Sequence, residues 1–334
     1  YSRIPMDRPG RPYCHVAGIA AFTGTDKTGT DIMNTHSPID GGVMAAVLTP
    51  LHNDMTPNHS LWLAHCGNLI DQGCSGLAIL GTTSEANSFS VPERLAMLDA
   101  LGESDVAAAL AVPGVGCCAI PDTVELCRKA MEIGAAGVLM LPPFYYKPVT
   151  DDGLFAAYSE IIQKVGDANL KILLYHIPQN SGVPITLSLI EKLVSAYPDT
   201  VVGIKDSAGD FGNMRAMVES FPGFRVFSGS DAFLLDILKI GGAGSITACN
   251  NIAARQSAAV LANWQAAGAE TYQAALSAIR LATEKFPLVE ALKEAMARST
   301  GDPAWRALRA PLRPLDKTTA DNLWAALCAA GVAG

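Results

Sequence analysis

The sequence predicts an α/β protein, a (β/α)8 TIM barrel with a C-terminal helical extension, and three observations predict it. From residue 43 onward, apolar runs of four to six residues alternate with amphipathic stretches of 12 to 16. The runs are apolar along their length rather than at every second position, as expected of parallel strands covered on both faces. Eight such units occupy about 225 residues, the count and length of a closed barrel.

The expected strands are, in order, "VMAAVL" (43–48), "GLAIL" (76–80), "AALAV" (108–112), "GVLML" (137–141), "KILLY" (171–175), "VVGIK" (201–205), "RVFSG" (225–229) and "GSIT" (244–247). Helices are expected near 58–72, 91–103, 121–134, 151–165, 186–197, 210–220, 231–240 and 252–267. Pro92 and Pro121 suit a first helical turn, Asp151 and Thr186 suit caps, and Asp210 precedes "FGNMRAMVES". An open doubly wound sheet would usually carry a glycine-rich phosphate loop after its first strand, where this chain has "VLTPLHNDMTPN".

After residue 268 the strands stop. "ETYQAALSAIRLATEKF", "PLVEALKEAMARS" and "TTADNLWAALCAA" read as helices. The expected organisation is a tail or upstream extension over 1–38, a barrel over 39–267 and a helical extension over 268–334. The tail carries Arg3, Arg8 and Arg11 and a brief apolar patch, "VAGIAAF", followed by "TGTDKTGTD" rather than a clear cleavage site. Met33 reads as a natural start.

Composition narrows the partners. A net charge of −8 over 334 residues argues against nucleic acid and gives no attraction to anionic lipid. No apolar run approaches the length of a membrane span. Eight cysteines stand at 14, 66, 74, 117, 118, 127, 249 and 328 without a C-x-x-C pair, and read as reduced residues of a cytoplasmic protein. The expected partner is a small molecule or a second copy of the chain.

In such a barrel, chemistry collects where strands end and loops to helices begin. The second strand ends in "GTTSE" (81–85), the fourth in "PPFYYKP" with Tyr145 and Tyr146, the fifth in "YHIPQNSG" from Tyr175, the sixth in Lys205, the seventh in "SGSD" and the eighth in "TACNN". Alone, Lys205 could cap a surface strand with its head in water, and each tyrosine could be half-buried packing. Together at one mouth they suit imine chemistry. A lysine amine attacks a 2-oxo acid, and the protonated imine then draws electrons from the neighbouring carbon. Threonine hydroxyls and backbone N–H groups of a glycine-flanked loop can receive the carboxylate. A tyrosine on the next strand can carry the proton.

These segments resemble the dihydrodipicolinate synthase and N-acetylneuraminate lyase family of class I, pyruvate-type aldolases. The resemblance runs from about residue 40 to the C-terminus and rests on "GTTSE", "PPFYYKP", "YHIP" and "GIKDSAGD", with "GGAGSIT" and "PLVEALKEA" also fitting. It implies Lys205 as the imine-forming residue, Tyr175 as the proton-transfer residue, and Thr82 and Thr83 as the carboxylate and proton-relay pair. It implies Tyr145 as a residue reaching a neighbouring subunit's site, hence a homotetramer built from dimers. It also implies a role for Ile246 through its backbone carbonyl, and it implies no cofactor.

Three positions depart from the family pattern. Ser84 replaces a loop glycine. Asn180 stands where synthases carry an arginine for the second substrate's carboxylate, and an amide does not replace a guanidinium. Asp231 is followed by Ala232 rather than by the second acidic residue of the neuraminate lyases, which leaves Asn180 and Asp231 as the expected substrate-binding side chains of the two variable loops. The expected function is a Schiff-base lyase or aldolase acting on pyruvate or a related 2-oxo acid and an aldehyde. A 2-keto-3-deoxy sugar-acid dehydratase and a non-catalytic 2-oxo-acid-binding barrel are the alternatives. A metal-dependent barrel would need a cluster of ligands, but only His176 of the six histidines lies at an expected strand end. The glycines of "GGAG" (241–244) precede the last strand, the wrong end for a phosphate site.

Overall fold

A computed structural model describes residues 37–332. The expected tail, apart from its last two residues, and Cys14 lie outside the described residues. Seven strands form one sheet: β1 (Gly42–Ala46), β2 (Gly76–Ala78), β3 (Val138–Met140), β4 (Ile172–His176), β5 (Val201–Asp206), β6 (Arg225–Ser228) and β7 (Gly244–Thr247). Their order is β2-β1-β7-β6-β5-β4-β3, and every ladder is parallel. Every residue of β1, β4 and β5 is buried, which is what their unbroken apolar character required.

The third expected strand, 108–112, is corrected. Ala108–Leu110 form a 3-10 turn, and it is the segment 111–115 that lies between β2 and β3. On one side the Val112 and Gly114 amides donate to the Leu77 and Ile79 carbonyls at 2.8 and 2.7 Å. On the other, the Leu139 amide donates to the Pro113 carbonyl at 2.8 Å and the Val115 amide to the Leu139 carbonyl at 2.9 Å. Pro113 has no N–H to give, so the ladder is interrupted within this segment and the barrel is nearly closed rather than regular.

Side chains alternate between two cores, as barrel strands require. Met44, Ala78, Leu139, Leu173, Phe227 and Ile246 share the interior cluster, while Ala45, Leu77, Val138, Met140, Leu174 and Val226 pack outward in the cluster beneath the helices. Most helices begin where the sequence predicts. Ser90 and Glu93 form a reciprocal capping box on Val91–Gly102, and Thr186 and Asp210 cap Leu187–Ala196 and Phe211–Ser220. The helix Asp151–Val165 is capped by Thr150 instead of Asp151, which sits in its first turn.

The C-terminal helices Ala269–Thr283, Leu288–Thr300 and Lys317–Ala329 share cores with the barrel. Leu276, Ile279, Ala291, Ala295 and Leu323 pack with Val43 and Val260. Val289, Leu292, Met296 and Trp305 pack with Leu48 and Ala248, which lie just beyond β1 and β7. The extension therefore sits against the end of the barrel where the strands finish.

Candidate active site

Lys205 reaches the barrel interior through a local irregularity. Between β4 and β5 the register slips: Ile172 pairs with Val201, but Leu173 pairs with Gly203, leaving Val202 as an extra residue. Val201 and Ile204 pack outward, whereas Val202 joins the interior cluster. With strict alternation from Val201, Lys205 would point out beneath the helices. The bulge turns Gly203 and Lys205 inward, level with Leu173 and Tyr175. Glycine is needed at 203 because a Cβ there would lie 2.4 Å from the Arg225 carbonyl oxygen.

The Lys205 residue is 6% exposed, and its Nζ lies 4.5 Å from the centre of the Tyr175 ring. The Tyr175 hydroxyl is 3.3 Å from Thr82 Oγ1, a pair in which either oxygen can donate. The Lys205 amine thus packs against the Tyr175 ring, whose hydroxyl meets Thr82. Thr82 and Thr83 sit in a tight turn in which the Ser84 and Ala86 amides donate to the Gly81 carbonyl and the Glu85 amide to the Thr82 carbonyl. Neither the Thr82 nor the Thr83 amide makes a hydrogen bond among the described residues, so this turn holds two unspent N–H donors.

Ser84 fits the loop without the freedom of glycine. The left-handed conformations fall on Leu80 and Glu85, with φ of +54° and +60°, not on Ser84. The Ser84 hydroxyl donates to the Val47 carbonyl at 2.5 Å, tying the loop to the end of β1. Asn250 and Asn251 of "TACNN" are also structural: their side-chain amides donate to the Met44 and Ala46 carbonyls at 2.9 and 2.8 Å.

A cavity of about 370 Å³ opens here, lined by Thr82, Thr83, Tyr175 and Lys205. Asn180 shares the lining, but Asp231 does not. Asp231 is fully buried and accepts from the Thr247 hydroxyl at 2.6 Å, and burial pushes its carboxyl above the usual carboxylate range. Ile246 lies within β7 in register with Met44, its side chain in the interior cluster. Tyr145 stands apart, 73% exposed and stacked edge-on against Tyr146. His176 is buried and accepts the Ile185 amide at Nδ1; burial lowers its pKa, while burial raises that of the neighbouring Asp206. No group of three or more His, Cys, Asp or Glu residues is placed to hold a metal among the described residues.

The reading of strand ends missed the far wall. Arg280, Val289 and Glu290 of the C-terminal helices also line the cavity. Arg280 falls on the same stripe as Leu276, Ile279 and Thr283, all buried, and a charge on the apolar face of an amphipathic helix is a signal legible in sequence.

A buried lysine at a barrel strand end, beside a tyrosine–threonine pair, is an arrangement that suits imine chemistry. Residues 40–330 match the dihydrodipicolinate synthetase family. A DapA-like lyase of Chloroflexus aurantiacus is 36% identical over 291 residues, covering 85% of this chain and 95% of its own. A 4-hydroxy-tetrahydrodipicolinate synthase of Kineococcus radiotolerans is 33% identical, covering 88% and 94%. Among solved structures, the dihydrodipicolinate synthase of Agrobacterium tumefaciens superposes with a TM-score of 0.81 at 28% identity, over 87% of this chain and 99% of that one. YagE of E. coli K12, solved in complex with pyruvate, superposes with a TM-score of 0.79 at 27% identity, over 88% and 99%. The chain belongs to the dihydrodipicolinate synthetase family.

Proposed function

We propose that this chain joins a pyruvate-type 2-oxo acid to Lys205 as an imine and uses it to make or break the adjacent carbon–carbon bond. The observation that carries the reading is the buried Lys205 amine beside Tyr175, with Thr82 at the far side of the phenol. The amine adds to the ketone carbon, and loss of water leaves the protonated imine. The free amides of Thr82 and Thr83 suit the substrate carboxylate, holding the ketone carbon against Nζ. The Tyr175 phenol, backed by Thr82, gives and takes the protons of carbinolamine breakdown. The imine then accepts the electron pair released when the bond breaks, or supplies it as an enamine to an aldehyde.

The exposed Tyr145 supports a second part of the proposal, in which it completes the site of a partner copy within a homotetramer of two dimers. No helix among the described residues is long and apolar enough to cross a membrane. The seven described cysteines are free thiols, which fits work in the cytoplasm.

Borohydride reduction in the presence of pyruvate, followed by intact mass and peptide mapping, tests the reading. A reduced pyruvyl adduct on Lys205, lost in Lys205→Ala, is the expected result. An adduct only with longer 2-oxo sugar acids would point to a dehydratase. No adduct with any 2-oxo acid would leave a binding barrel without this chemistry.

A further inference from the structure

We propose that Arg280 is the receptor for a carboxylate on the acceptor aldehyde, so that the site joins a 2-oxo acid at Lys205 to a short aldehyde acid held from the C-terminal extension. The inference rests on the imine reading above and adds the second substrate to it.

Of the side chains that line the cavity, two are cationic, Lys205 and Arg280. Once Lys205 is consumed in the imine, Arg280 alone is left to receive a second anion. Asn180 offers the cavity a neutral amide, which lacks the charge and the paired donors of a guanidinium. The cationic side chain that remains at the cavity comes from the helix Ala269–Thr283 rather than from the loop after β4.

Arg280 is built for this role. Its side chain is 19% exposed, and its Nε donates to Glu284 at 3.2 Å, which fixes the plane of the guanidinium. Neither of its two terminal amino groups makes a hydrogen bond among the described residues. An arginine in that state presents the fork that matches a carboxylate bidentately.

No acidic group around Arg280 takes its terminal amino groups. Asp231 has Oδ1 taken by Thr247 and Oδ2 without a hydrogen-bond partner, so it makes no bond to Arg280; burial raises its pKa, against the lowering effect of the Thr247 bond and the Arg280 charge. Burial likewise holds the Cys249 thiol well above its usual range. Glu284 takes Nε alone and lies 43% exposed, and Glu290 shares the cavity lining without pairing to Arg280. At about 370 Å³ the cavity is near the small end of ligand sites, which suits a short chain.

In the addition direction, the enamine carbon attacks the aldehyde carbon. The new carbon–carbon bond forms and the aldehyde oxygen takes a proton to become a hydroxyl. Water then hydrolyses the imine, releasing a 4-hydroxy-2-oxo diacid and the free amine. Cleavage is the reverse.

The test compares matched aldehydes with pyruvate as donor: glyoxylate against glycolaldehyde, and succinic semialdehyde against butanal. The wild type should favour the anionic member of each pair. In Arg280→Gln that preference should fall by roughly ten- to a hundredfold, mostly through KM, as for loss of a charged hydrogen-bonded pair. Arg280→Lys, which keeps the charge but not the fork, should fall in between. Borohydride trapping of pyruvate on Lys205 runs alongside as the control for fold and imine chemistry. If Arg280→Gln still traps pyruvate yet keeps the wild-type preference, or loses both aldehydes equally, the role of Arg280 is overturned. If the wild type itself traps nothing, the imine reading fails and takes this inference with it.

Discussion

Tyr175 stands between the two groups whose protons must move, with its ring against the Lys205 amine and its hydroxyl 3.3 Å from Thr82. Removing only that hydroxyl separates packing from proton transfer, because the ring belongs to the interior cluster and stays there. Tyr175→Phe should therefore fold like the wild type and still bind the 2-oxo acid. Its kcat should drop about 10²- to 10⁴-fold, the range for loss of a positioned general acid–base. Steady-state kinetics, with a melting curve as the control, check this. An equal loss in kcat and in melting temperature would instead make the hydroxyl a structural group.

At the scale of the element, β5 decides which way the lysine faces. The apolar run "VVGIK" made a strand ending at Lys205 legible, but not the parity of its side chains. Period-two reasoning assumes an unbroken register, and the extra residue at Val202 shifts it. Gly203 was the available clue, since an isolated glycine inside a strand often marks a bulge. The expected strand at 108–112 failed because Ala108–Leu110 close a 3-10 turn, so pairing runs through 111–115, where Pro113 withholds one amide and keeps the segment from becoming a regular strand. Gly203→Ala should be costly, because its Cβ would meet the Arg225 carbonyl oxygen at 2.4 Å and the Leu173 side chain at 2.9 Å. The strand must shift to relieve this, so the rate of borohydride trapping should fall by more than the fraction of protein unfolded. Trapping measured alongside a denaturant titration checks it, and wild-type trapping at lowered stability would show that the bulge does not aim Lys205.

For the whole molecule, the C-terminal extension holds the loop on which Thr82 and Thr83 stand. Glu85, the last residue of "GTTSE", pairs with Lys293 of the helix Leu288–Thr300, and both side chains are 0% exposed. The remaining bonds satisfy the pair: the Arg309 amide donates to Glu85 Oε2 at 2.9 Å, and Lys293 Nζ donates to the Ala307 carbonyl at 2.7 Å. Arg309 adds a second clasp, donating to the Ser88 carbonyl at 2.8 Å, pairing with Glu93 and stacking 4.3 Å over the Phe89 ring. The sequence showed the helices of this extension but not their reach, because contacts about 210 residues apart leave no local period. Lys293→Met should cost about 3–5 kcal/mol, since it strands the Glu85 carboxylate in the core. The double variant Glu85→Gln with Lys293→Met removes both charges and should recover much of that loss. If the loop is held by this pair, Lys293→Met should also raise KM for the 2-oxo acid in whatever protein remains folded, as the two threonine amides lose their fixed spacing. Denaturant midpoints and KM for the two variants decide the matter: a single variant as stable as the wild type would mean that the buried pair contributes nothing to holding the barrel and its extension together.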